Sequence, residues 1–322
     1  MDNPPRRPGT KILKLIFAIG GTAVILFLAF KYLSADILLS SLQNLRPIPL
    51  LASLGAYVGI TAMRAARFTI LGRQLGYSNA FAIASVHAAL LRVMPLRSGE
   101  LAYGIMLRRM GRGGFGEGMA AIAVLRLLDL AVLLVIAAVG ISVRFSMLEK
   151  YHTTLIVGIA AALAVSLFFA LTPIVRAVEP RFGTPPENGK LPMRFRLLAA
   201  VKSATQISLR RRAALLICTG VTWLLMPLWF YTLMLSGGMS IGVLDGFAST
   251  VFGLIGSILP LSLIGSFGPM EGGFAFGLTA VGFSPEAAAS HAVIISTLAL
   301  VDNWLVAIPG WFWVLSRSRK AE

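Results

Sequence analysis

The sequence predicts an all-α, polytopic membrane protein, and three observations carry that prediction. Hydrophobic residues make up 57% of the 322 residues, charged residues only 13%, and the mean hydropathy is +0.82, which leaves too little polar surface to cover a soluble globule of this size. Apolar stretches long enough to cross a bilayer, about 20 residues each, recur along the chain. The 29 Lys and Arg, against 13 Asp and Glu, collect between those stretches. A net charge of +16 placed in this way marks loops facing anionic lipid headgroups, and argues against a nucleic-acid partner.

Six stretches qualify as full spans: residues 12–33, 48–71, 118–143, 152–175, 213–236 and 286–315. The first is longer than a signal-peptide core and no small-residue cleavage site follows it, so it reads as a retained span. Two further apolar regions are broken in the middle. Residues 80–110 form an arm, a break at Pro95 and Gly99, and a short second arm ending at Arg108 and Arg109. Residues 243–283 repeat that form, with a break through Pro260, Gly265, Gly268 and Pro269.

Loop charge sets the orientation, because Lys and Arg accumulate on the cytoplasmic side. Arg6, Arg7, Lys11 and Lys14 place the N-terminus inside, the basic 176–212 loop lies inside, and Arg317, Arg319 and Lys320 place the C-terminus there too. These assignments agree with six spans if both broken regions are re-entrant helical hairpins, one entering from each face. The chain then reads as a single integral membrane domain holding an inverted repeat, 48–143 and 213–315, joined by the cytoplasmic loop. Eight ordinary spans is the alternative.

Ionisable residues inside apolar segments are costly and so mark candidate sites. Arg64 and Arg67 lie in the second span, at a depth that reads as snorkelling to the cytoplasmic headgroups. Arg126 and Asp129, three residues apart, share a helix face and are expected to pair. Glu100 and Glu271 are the sharper candidates: each follows a Pro/Gly break, beside Gly99 and Gly268, at the start of a short arm. Free backbone N–H groups there suit a phosphate, and a carboxylate capping its own helix is the bland reading. His87, His291 and Asp302 complete the set; the histidines read as core residues, and no metal or cofactor is expected.

Gly111-Arg112-Gly113-Gly114-Phe115-Gly116 matches a dinucleotide fingerprint but lacks the preceding strand such a site needs, so it reads as a turn. No P-loop, H-E-x-x-H, G-x-S-x-G or Asp-x-Asp motif is present, which argues against an enzyme using an activated donor. Cys218 is the one cysteine and carries no disulfide or metal reading.

Arg64-Ala65-Ala66-Arg67-Phe68, Pro95-Leu96-Arg97-Ser98-Gly99-Glu100, Arg126-Leu127-Leu128-Asp129 and Pro260 with Gly265-Ser266-Phe267-Gly268-Pro269-Met270-Glu271 resemble, in order and spacing, the transmembrane region of lysylphosphatidylglycerol synthases. The resemblance implies movement of a charged or phosphate-bearing lipid between the leaflets of a bacterial cytoplasmic membrane. No aminoacyl-transferase domain follows Glu322, so lysyl transfer is not expected of this chain. The sequence departs from the family at Val301-Asp302-Asn303, where an arginine is common. A lipid translocase is therefore the leading expectation. A lipid-modifying transferase, or a non-catalytic partner of a lipid-pathway enzyme docking through the basic loop, are the alternatives.

Overall fold

The computed structural model describes residues 35–72, 75–94, 98–145, 207–258 and 268–318, with isolated positions between 159 and 202. The expected spans at 12–33 and 152–175, most of the basic loop, the terminal charges other than Arg317, and the breaks at Pro95, Pro260 and Gly265 lie outside the described residues. Among the described residues the regular structure is helical throughout.

A short helix α1 (Ala35–Gln43) leads into α2 (Pro47–Leu71), which starts with proline in its first turn, where a missing N–H costs nothing. Then come α3 (Tyr77–Val93), α4 (Glu100–Arg109) and α5 (Phe115–Phe145). The second half holds α6 (Leu209–Ser236), α7 (Val243–Ile258), α8 (Pro269–Ala280) and α9 (Pro285–Ser318). Four helices are long and apolar enough to cross a membrane: α2, α5, α6 and α9. They match four of the expected spans, and at 25 residues even the shortest, α2, extends about 37 Å against a hydrocarbon core of about 30 Å. One boundary differs from expectation. Arg210, Arg211 and Arg212 belong to the first turn of α6 rather than to a loop, with the Arg212 amide bonded to the Ser208 carbonyl at 3.0 Å.

The central seam is α2 against α6. Arg67 meets Thr219, Gly59 faces Leu225, Tyr57 packs on Trp229, and the Arg46 amide donates to the Ser236 carbonyl, so the two helices run antiparallel along their length. Glycine is needed where α7 and α8 fold back on each other. A Cβ on Gly253 would strike the Phe274 ring, one on Gly277 the Ser249 Cα, and those on Gly256 and Gly273 the facing backbone. These two short helices form a tight antiparallel hairpin.

In the first half, α3 and α4 also fold back. Leu90 lies against Gly99, and the His87 and Tyr103 rings are 6.1 Å apart. Gly104 then packs on Gly118, turning α5 back along α4, so that 111–114 is a helix-to-helix turn with Gly111 at φ 63°, and Phe115 and Gly116 begin α5. Gly310 of α9 nestles against Ala82 and Ser85 of α3, while the Trp313 indole donates to Asn79, which sets α9 antiparallel to α3. Gly246 against Tyr231 and Met234, and Ile294 against Gly237 with Asp302 bonded to Trp229, set α7 and α9 antiparallel to α6, so α2, α4, α7 and α9 run one way and α3, α5, α6 and α8 the other.

Candidate functional site

A cavity of about 180 Å³ lies on the α2–α6 seam, where the end of α3, the end of α7 and the start of α8 come together. Its charged lining is Arg64 and Arg67 from α2, Arg92 from α3, and Arg126 and Asp129 from α5. Tyr57, Trp223, Trp229 and Phe230 supply an aromatic wall. Four arginines therefore face one carboxylate inside a membrane protein, an arrangement that is costly unless something compensates it.

Part of the compensation is internal, and it differs from the sequence expectation. Arg126 and Asp129 do not pair with each other. The Arg67 guanidinium donates to Asp129 Oδ1 at 2.5 Å, and the Arg126 Nε donates to Glu100 Oε1 at 3.1 Å. The helix face shared by Arg126 and Asp129 fixes their height, but α2 and α4 each approach closely enough to take one of them. Nor do Arg64 and Arg67 reach out to headgroups. Arg67 is only 4% exposed and both line the cavity, because the face of α2 that carries them turns toward α5 and α6.

Asp129 accepts a second bond from the Trp223 indole at 3.0 Å, so one carboxylate joins α2, α5 and α6. Its counterpart in the last helix is Asp302, 1% exposed, which accepts from Ser53 of α2 at 2.9 Å and from the Trp229 indole of α6 at 2.8 Å. Asn303 beside it accepts from the Tyr57 hydroxyl at 2.8 Å. These bonds hold the rings that wall the cavity.

The two glutamates at the hairpin breaks serve different ends. Glu100 pairs with Arg126. Glu271 caps α8: its carboxylate accepts the Gly268 N–H at 2.7 Å. The expectation that the Gly268 amide stands free for a phosphate is thereby corrected. Gly268 itself has φ 125°, a conformation that side chains disfavour, which accounts for glycine at this point. Gly99 is explained by closeness instead, since a Cβ there would sit 2.6 Å from the Leu90 carbonyl oxygen. His87 is buried between Phe68 and Tyr103, and His291 lies beside Phe283; among the described residues no cluster of metal-ligating groups includes either.

Sequence reasoning missed Arg92, which reads as an interfacial cation at the end of an arm. In the structure its guanidinium lies 5.9 Å from the Trp229 ring centre and 6.0 Å from that of Phe230. It was detectable as an arginine placed three residues before the Pro95 break. Trp223 and Trp229 were also missed, because an indole on an apolar helix gives no sign that its N–H is spoken for.

The transmembrane-region model of lysylphosphatidylglycerol synthases matches residues 11–310, nearly the whole chain. The chain belongs to that family. A search among curated proteins finds no match. Membership of the lysylphosphatidylglycerol synthase transmembrane family agrees with the four membrane-capable helices, and gives the chain a role connected with membrane lipids. It makes a cationic cavity in the helical bundle the natural place to seek a lipid headgroup.

Proposed function

We propose that this protein translocates a phosphate-bearing lipid across a bacterial cytoplasmic membrane, with the headgroup passing through the arginine-lined cavity while the tails stay in the bilayer. The observation that carries the reading is the convergence of Arg64, Arg67, Arg92 and Arg126 on a cavity with one lining carboxylate. Arginine presents a planar fork of donors that suits phosphate.

The architecture we attach to it is six full spans plus two re-entrant hairpins, related as inverted repeats, with both termini in the cytoplasm. Three features support it. At 10 residues α4 extends about 15 Å, and at 12 residues α8 about 18 Å, each far short of the hydrocarbon thickness. The order long, short, short, long occurs in both halves, and each helix of the first half runs opposite to its counterpart in the second. The ends of α3 and α7, each just before a hairpin break, both line the cavity, as in transporters built from inverted repeats.

The test is reconstitution of the full chain in vesicles carrying a fluorescent phosphatidylglycerol, with a membrane-impermeant quencher reporting exchange between leaflets. Exchange should exceed that of empty vesicles and fall at least about tenfold in Arg64→Gln and Arg92→Gln, since each removes a charge-assisted contact. Wild-type exchange no faster than in empty vesicles would sink the proposal.

A further inference from the structure

We infer that the headgroup this cavity selects is a lipid phosphomonoester, carrying two negative charges, over a phosphodiester carrying one. The inference rests on the anionic-lipid reading above and narrows its substrate class. It begins from which arginines are already compensated. Arg67 is held by Asp129 and Arg126 by Glu100. Arg64 and Arg92 are half-buried, line the cavity, and have no ion pair among the described residues.

Other groups bear on that count: Asp129 also interacts electrostatically with Arg64, but it already accepts from Arg67 and the Trp223 indole. Glu271 interacts electrostatically with Arg92, but its carboxylate is engaged at the Gly268 N–H, at the positive end of α8, which offsets about half of its charge. The Trp229 and Phe230 rings give Arg92 a cation–π contact, which stabilises a cation less than an anion does. Two guanidiniums thus remain for a ligand to neutralise, and both keep their charge at any working pH.

Donor capacity points the same way. The Arg67 Nε–H is buried and has no hydrogen-bond partner, so the cavity offers a donor beyond those on Arg64 and Arg92. Buried donors are ordinarily satisfied. A monoester presents three unesterified oxygens where a diester presents two. With one charge and one oxygen fewer, a diester would leave part of this set uncompensated in a low-dielectric site, where that is costly.

The experiment is a binding titration of the purified full chain with two short-chain lipids of identical tails, a phosphatidic acid and a phosphatidylglycerol. The second ionisation of a phosphomonoester lies at about pH 6. We expect phosphatidic acid to bind about tenfold tighter than phosphatidylglycerol at about pH 8, and the two to become equal at about pH 5. Phosphatidylglycerol does not change charge over that range, so it reports any titration of the protein itself. Arg64→Gln and Arg92→Gln should each abolish the preference at the higher pH, whereas Arg64→Lys, which keeps the charge, should retain it if the fold is intact by thermal melting. Equal affinity at the higher pH, or a preference that does not change with pH, overturns the monoester assignment and leaves the anionic-lipid reading standing. Failure of both lipids to bind overturns both.

Discussion

Asp129 and Asp302, one from each half of the chain, accept indole N–H bonds from the same helix, Trp223 at 3.0 Å and Trp229 at 2.8 Å. Each also takes a donor from α2, Arg67 for one and Ser53 for the other. The halves are therefore joined by two carboxylates with different partners, one charged and one neutral.

That difference predicts different mutational costs. Removing Asp129 leaves Arg67 buried without its counter-ion, so Asp129→Ala should lower stability by about 3–5 kcal/mol. Arg67→Met combined with Asp129→Leu should be less damaging than Asp129→Ala alone. Thermal melts in detergent check both; a double variant as unstable as the single one would show that the pair is not the main contribution.

Asp302 has only neutral donors. Asp302→Asn keeps an acceptor for Ser53 and Trp229 and should change stability by less than about 1 kcal/mol, whereas Asp302→Ala strands the Trp229 indole, leaves Ser53 only the Leu50 carbonyl, and should cost about 1–3 kcal/mol. Trp fluorescence and melting of the two variants separate these outcomes.

Adjacent glycines in α8 should respond with opposite signs. A Cβ on Gly272 meets nothing within 4 Å, so Gly272→Ala should be neutral or stabilising, by up to about 1 kcal/mol from helix propensity. A Cβ on Gly273 would run into the Phe252 carbonyl of α7, so Gly273→Ala should destabilise the hairpin. Comparative melting of the two variants decides it.

Glu271 can be tested as a cap. Glu271→Gln retains an oxygen for the Gly268 amide and should preserve both stability and leaflet exchange, while Glu271→Ala should cost about 1 kcal/mol. Loss of exchange in the Gln variant, with stability unchanged, would assign the carboxylate to transport instead.

The sequence made the membrane class and four of the spans legible, because hydropathy over some 20 residues depends on composition alone. It also brought Arg64, Arg67, Arg126 and Asp129 forward as candidates, since charge inside an apolar run stands out. Their partners were not legible. Pairing depends on which helices are neighbours, so Arg126 and Asp129 look like a couple on one helix until α2 and α4 are in place. Asp302 stood out by its charge, but nothing local in sequence shows that Ser53 and Trp229, 249 and 73 residues away, supply its bonds. Arg92 escaped notice because an arginine at a helix end is ordinary until the next helix closes over it.

The α2–α6 seam has a consequence for the cavity that lies on it. From the Arg46–Ser236 bond to the Arg67–Thr219 contact the seam covers about 32 Å of α2 and about 26 Å of α6, close to the thickness of the hydrocarbon layer. Because α2 and α6 belong to different halves of the chain and both line the cavity, any displacement of one half against the other changes the cavity's width.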